Sequence, residues 1–263
     1  DFHISKGVTI NSKSTLRVSG SHRIAARSPA GESSPNDHTS LTSVGARLDF
    51  VATDNLYSFT KVEYVKGDYG QNAKVVDLAT NLTVTKPETI KRDRITATGR
   101  LEHRINENAD QMLQVNYAKF SGQQLFSTED HLSLDFDYQL NTMWHDHRID
   151  IGLSYRHNEV SVANGVRTFD LGATNQITTF GVFAQGQFNF FDERLQVIVG
   201  NLWADSNYTG VEHQPSLKAL LKLNAKQSAW LSVSRAVRTP SYIEYNIQGR
   251  IGGVALSDIL GVN

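Results

Sequence analysis

Apolar and polar positions alternate in segment after segment of this chain of 263 residues. The stretch 131–140 shows it best. Leu132, Leu134, Phe136, Tyr138 and Leu140 are apolar, whereas Ser133, Asp135, Asp137 and Gln139 are polar. Successive side chains of a strand point to opposite faces, so this stretch predicts a strand with one oily face and one face carrying carboxylates. About eleven such strands are predicted. They cover residues 16–26, 43–52, 56–69, 93–104, 111–120, 131–140, 148–159, 178–190, 194–204, 216–224 and 229–238.

The connectors carry separate information. Thr53-Asp54-Asn55 is short, as are 106–110, 141–147, 191–193 and 225–228. Most of these are rich in Asn and Asp, which tolerate tight turns. The links 27–42, 70–92, 121–130, 160–177, 205–215 and the stretch after 239 are long. Short and long links alternate strictly, so all short turns fall at one end of the sheet and all long loops at the other. Outer-membrane barrels, with short periplasmic turns and long outward loops, show this arrangement. Residues 70–92 read as a polar loop with little helical pattern, and 256–260 as a brief helical turn.

The two faces agree with that reading. Expected on the outward face are Val44, Ala46, Leu48 and Phe50, then Ile149, Ile151, Leu153 and Tyr155. Phe180, Val182, Ala184 and Phe188 follow, and then Leu217, Ala219, Leu221 and Leu223. Their alternates include Arg47, Asp49, Asp150, Arg156, Gln185, Gln187, Lys218 and Lys222. Aromatic residues gather near strand ends (Tyr64, Tyr69, Tyr155, Phe190, Phe191, Trp203 and Tyr208), as interfacial girdles require. The competing reading is a soluble antiparallel sandwich or solenoid whose polar face meets water.

Composition narrows the classes. No apolar run approaches the roughly 18–20 residues of a transmembrane helix. This excludes a helical membrane protein but leaves a barrel open, because a polar lumen face dilutes the hydropathy signal. A net charge of −1 gives no support to a nucleic-acid partner. There is no cysteine, which removes disulfides, thiolate zinc sites and thiol catalysis. The start, Asp1-Phe2-His3-Ile4, lacks the basic and apolar regions of a signal peptide.

The C-terminal third carries a resemblance. After the turn Phe191-Asp192-Glu193 come residues 194–200, then Asn207-Tyr208-Thr209-Gly210, Gln214-Pro215-Ser216 and residues 230–244. Together they resemble the barrel of TonB-dependent outer-membrane receptors. The most specific piece is the string Ser234-Arg235-Ala236-Val237-Arg238-Thr239-Pro240-Ser241, similar to one at the end of a mid-barrel strand in that family. Residues 45–50 and 101–105 also look like the family, and the resemblance is strongest over 180–244. It implies a barrel of roughly 22 strands around a plug domain. It also implies a TonB box that engages an inner-membrane complex, and uptake of scarce substrates such as ferric siderophores, haem, cobalamin or oligosaccharides.

No plug, TonB box or terminal aromatic strand is recognised in the sequence. The expectation is therefore an all-β, partial transmembrane barrel, with residues 1–263 forming an internal part of the barrel domain and about eleven of the family's roughly 22 strands. Its implied partners are outer-membrane lipid, a small-molecule substrate such as a siderophore, and the TonB complex through a region outside this chain. Its implied place is the bacterial outer membrane. The runner-up functions are a passive porin-like barrel or membrane anchor, and then a soluble carbohydrate-active β protein.

Candidate chemistry is sparse. No Gly-x-Ser-x-Gly, phosphate loop or His-Glu-x-x-His occurs, so no enzyme is expected, nor any cofactor. His145-Asp146-His147 places two imidazoles on one face, but two ligands are too few for a metal site, and a polar turn is the plainer reading. Arg47 with Asp49 and Lys61 with Glu63 are expected to line a wet wall. Substrate-binding residues are not assignable, and Tyr69 and Tyr208 are candidates only by position near the loops. Ser234, Arg235, Ala236, Arg238, Thr239 and Pro240 form the family signature with an expected structural role. Pro240, lacking an N–H, is expected to end ladder pairing at the strand-to-loop junction.

Overall fold

The computed structural model describes residues 1–25, 36–77, 80, 82–124, 127–164, 174–240, 250–251 and 254–255. Twelve strands form one antiparallel sheet in strict chain order. They are β1 (Phe2–Asn11), β2 (Ser14–Ala25), β3 (Thr39–Thr53), β4 (Leu56–Asp77), β5 (Leu82–Asn106) and β6 (Ala109–Gln124). The series continues with β7 (Ser127–Trp144), β8 (His147–Asn164), β9 (Thr174–Phe190), β10 (Leu195–Ser206), β11 (Gly210–Asn224) and β12 (Gln227–Ser234). Two short strands, β13 (Arg250–Ile251) and β14 (Val254–Ala255), pair with each other. The expected turn at 256–260 lies outside the described residues.

All eleven predicted strands are present, and β1 is an additional one. Its outward series Phe2, Ile4, Val8 and Ile10 is interrupted by Lys6, which breaks the apolar alternation. The expected loop 70–92 is instead mostly ladder: β4 and β5 stay in register from Leu56↔His103 to Asp77↔Leu82. At 22 and 25 residues these strands are far longer than the roughly 9–11 a tilted strand needs to cross a hydrocarbon layer. Pairing there continues on backbone hydrogen bonds after the apolar alternation has stopped, so sequence periodicity does not reveal it. The link 205–215 likewise shrinks to the turn Asn207-Tyr208-Thr209, whose Asn207 side chain accepts from the Thr178 N–H at 3.0 Å and donates to the Gln176 carbonyl at 2.8 Å.

Register makes the two faces explicit. One row of partners runs Val8, Leu16, Leu48, Thr60, Gly99, Val115, Phe136, Tyr155, Phe180 across nine strands. The adjacent row, on the opposite face, runs Arg17, Arg47, Lys61, Thr98, Asn116, Asp135, Arg156, Thr179, Ser206. Burial is inverted relative to a water-soluble sheet. Leu48 and Phe50 are each 41% exposed, while Asp150, on the opposite face, is only 8% exposed. Crowding of this kind follows when a sheet curls toward its polar side. Among the described residues, Ala73, Val160 and Val162 are the only buried hydrophobic ones. The sheet therefore has almost no oily core of its own, and its apolar surface faces outward.

Candidate functional site

The polar face is a network of charges held in short pairs. Arg17, Arg47 and Lys61 are direct cross-strand neighbours in one row. Like charges in that position repel, and for Arg47 and Lys61 the sequence answers with a carboxylate two residues along the same face. Arg47 grips Asp49 through Nε at 2.9 and 3.1 Å and through its terminal nitrogen at 2.8 Å, while Lys61 holds Glu63 at 2.8 Å. Both sequence-expected pairs are thus brought together as wall contacts, each satisfied within its own strand.

Around them is a cluster that sequence reasoning missed. The Arg47 guanidinium donates to the Tyr57 hydroxyl at 2.8 Å and lies 4.0 Å from the Phe59 ring centroid. Arg100 approaches the same ring at 5.7 Å, donates to Gln114 at 2.7 Å and pairs with Glu102 at 3.3 Å. The signal was available: Asp49, Tyr57, Phe59 and Arg100 share the parity of the charged face. Further round the wall Asp135 pairs with Arg156, and Arg148 holds Asp150 at 2.8 Å. Planar guanidinium against carboxylate gives directional, bidentate-capable contacts that suit a wet but crowded wall.

At the end of β12, the signature residues sit where the ladder stops, though Pro240 does not stop it. Pairing with β11 ends at Ser216↔Ser234, and the next N–H, of Arg235, donates to the Pro215 carbonyl at 3.0 Å. Pro215 has no N–H to return, so the ladder terminates there, before the position expected from Pro240. The Arg235 side chain takes over, pairing with Glu212 at 2.8 Å and donating to the His213 carbonyl. Val237 N–H reaches the Gln214 side chain at 3.4 Å. Ala236, Arg238, Thr239 and Pro240 lie beyond the strand; Ser241 is outside the described residues.

The short-turn end carries an aromatic band. Trp144 stands edge-on to His145 and His147, at 5.6 and 5.8 Å, and His147 meets Phe188 and Phe190 at 5.5 and 5.9 Å. His147 Nδ1 also accepts from the Asn189 N–H at 3.3 Å. His145 and His147 are thus committed to packing, and among the described residues no three metal-ligating side chains come together. Tyr64, Tyr155, Phe190, Phe191 and Trp203 are exposed. Tyr69 points to the polar face instead, and Tyr208 lies in the β10–β11 turn.

A meander of long strands, oily outside and charged inside, with short turns at one end, defines the wall of a transmembrane β-barrel. Comparison with family models matches residues 7–259 to the TonB dependent receptor-like beta-barrel, and the chain belongs to that family. No curated protein matches the sequence. Among solved structures it is similar to the siderophore receptor PirA from Pseudomonas aeruginosa, at a TM-score of 0.68 and 12% identity over 91% of this chain and 39% of that one. It is also similar to a mutant of the ferric enterobactin receptor PfeA from the same organism in complex with enterobactin. There the TM-score is 0.71 and the identity 10%, over 92% of this chain and 42% of that one. A third, the FpvAI–pyocin S2 complex, aligns at 0.67 and 12% identity over 88% and 40%. At such identities the likeness shows the fold, and the chain spans only about two fifths of the length of these receptors. TonB-dependent receptor barrels are bacterial outer-membrane proteins, and the family is one of transport receptors rather than enzymes.

Proposed function

We propose that this chain is wall from an outer-membrane receptor that imports a bulky, scarce nutrient, with a ferric siderophore as the first candidate and the TonB complex as the energy source. The family match over 7–259 carries the reading. The named neighbours, siderophore and ferric enterobactin receptors, support the choice of cargo. The outward apolar face is matched to lipid, because the inner strands β2 to β11 are paired on both sides. The first and last strands of the sheet, β1 and β12, each pair on one side only. A spanning wall cannot leave such edges in lipid. Further strands from the same receptor would cover them, which agrees with the fraction of each solved receptor that the chain matches.

In this reading no bond is made or broken. The charged wall keeps a hydrated path, the long-loop end faces outward to meet cargo, and a plug moved by TonB opens the route. The test is uptake of radiolabelled ferric siderophores by iron-starved cells with and without the full-length gene. Import that depends on the gene and vanishes with a protonophore or without TonB is expected. Import that persists without TonB would instead mean a passive barrel.

A further inference from the structure

At the long-loop end of the polar face, β4 to β7 set Tyr69, Arg92, Phe120 and His131 on neighbouring strands. Arg92 is flanked in its row by two glycines, Gly67 on β4 and Gly122 on β6. Both glycines are covered by rings from their own strands. A Cβ at Gly67 would lie 2.7 Å from the Tyr69 ring, and one at Gly122 would lie 3.0 Å from the Phe120 ring. Tyr69 is two residues beyond its glycine toward the loops, and Phe120 two residues short of its own. The rings therefore fold into the Arg92 row from opposite directions, and the guanidinium sits 5.7 and 6.0 Å from their centroids. His131 extends the series, edge-on to Phe120 at 5.5 Å, with Glu129 at 3.6 Å from its Nε2.

Arg92, like Arg17 on β2, holds no carboxylate at ion-pair distance among the described residues, in contrast to four other wall arginines. Arg47, Arg100, Arg148 and Arg156 each hold a carboxylate. Among the described residues Arg92 and its neighbour on the same face, Arg94, have none, and both are exposed. Ring faces hold the guanidinium by cation–π attraction and leave its N–H fork unspent. A fork of that kind recognises a planar oxyanion, and adjoining ring faces recognise an aromatic group.

We propose that Arg92, with Tyr69 and Phe120, is a docking platform for an aromatic ring bearing anionic oxygens, carried by the cargo. The proposal rests on the receptor reading for its biological setting. The binding experiment does not depend on transport. The full-length receptor, purified in detergent and verified as folded by heat-modifiable mobility, is titrated with 2,3-dihydroxybenzoate, acetate and inorganic phosphate. Dihydroxybenzoate binds best, Arg92→Gln weakens it about tenfold, and Arg92→Lys recovers only part, because an ammonium lacks the fork. Phe120→Leu weakens it as well, and Lys218→Gln, on the same face but remote, leaves it unchanged. No binding, equal binding of acetate or phosphate, or full affinity in folded Arg92→Gln overturns the platform. Nutrient uptake by the wild type alongside such a result leaves the receptor reading standing. TonB-independent import alongside Arg92-dependent binding removes the receptor reading and keeps the platform.

Discussion

The ring of Phe183 on β9 lies across Gly152 on β8, its register partner on the polar face. A Cβ at Gly152 would sit 2.2 Å from the ring and 2.7 Å from the Tyr138 carbonyl, so only glycine fits. An aromatic side chain shielding a strand glycine restores contacts that the missing side chain forfeits. Gly152→Ala is expected to lower stability by about 1–3 kcal/mol through overpacking. Phe183→Leu should relieve part of that strain, so the double variant costs less than the sum of the singles. The residual cost reflects the Tyr138 carbonyl, which no side-chain change removes. Denaturant titration of the folded barrel in detergent or lipid measures all three; strict additivity would mean the ring and the glycine are uncoupled.

The row structure predicts opposite tolerance on adjacent positions of one pairing. Phe136 belongs to the apolar row, and Asn116 to the charged row one step away. An arginine on the lipid face near mid-height costs about 2–4 kcal/mol in a membrane barrel. Phe136→Arg should therefore reduce folding efficiency in lipid strongly. Asn116→Arg, on the wet side beside Asp135, should change stability by less than about 1 kcal/mol. Equal damage from both would contradict the assignment of faces.

Much of this was readable from the chain, for a definite reason. Where one face must be oily, period-two alternation is enforced, and 43–52 or 131–140 display it. Legibility failed where that constraint lapses. Lys6 interrupts β1. Beyond Tyr69 the β4–β5 ladder rises past the apolar band, so Gln71, Asn72 and Glu88 show no alternation although the backbone pairing is unbroken. Clusters on the polar face were legible only in part. Arg47–Asp49 and Lys61–Glu63 are two apart in sequence, whereas Arg92 meets Tyr69 and Phe120 only through the register of three strands. Its missing N–H makes Pro240 the expected end of the ladder. The deciding proline is Pro215, on the partner strand.

That proline leads to a local prediction. The Arg235 side chain anchors the departing chain on Glu212 and the His213 carbonyl where backbone pairing runs out. Arg235→Ala should leave the wall intact but free the end of β12. Hydrogen exchange at the amide of Arg235, which faces β11, is expected to speed up by roughly tenfold, the loss of about 1–1.5 kcal/mol of local protection. Unchanged exchange would assign the anchoring to the single Arg235–Pro215 backbone bond.

The turn between β9 and β10 stores backbone strain. Phe191, Asp192 and Glu193 have φ of 56°, 53° and 61°, three successive left-handed residues without a glycine. Each such residue costs about 1–2 kcal/mol relative to an ordinary conformation. Glu193 offers little in return, since its contact with Lys222 is 3.8 Å long and exposed. Glu193→Gly is expected to raise stability by about 0.5–1 kcal/mol after the entropy of the added glycine is subtracted. Glu193→Val should lower it, because a β-branched residue resists that region more than glutamate does. The order Gly above Glu above Val in denaturant midpoint is the expected result.

The last prediction concerns how the long-loop end is held. Asn36, only 8% exposed, donates its side-chain amide to the Gln71 carbonyl at 3.0 Å and to the Glu88 carbonyl at 2.6 Å. It thereby bridges both strands of the β4–β5 hairpin. Two residues on, the His38 carbonyl accepts from the Gly70 N–H at 2.7 Å, and the His38 ring occupies the space where a Gly70 Cβ would lie, 2.3 Å away. The chain entering β3 is thus fastened to the hairpin that carries Tyr69. Asn36→Ala leaves two carbonyls without this donor, at a cost of about 1–3 kcal/mol if they remain buried. Gly70→Ala expels the ring and loosens the same junction. Both variants should become more sensitive to limited proteolysis near residues 36–38 while the mobility of the folded barrel is retained. Cleavage no faster than in the wild type would show that the junction is held by other contacts.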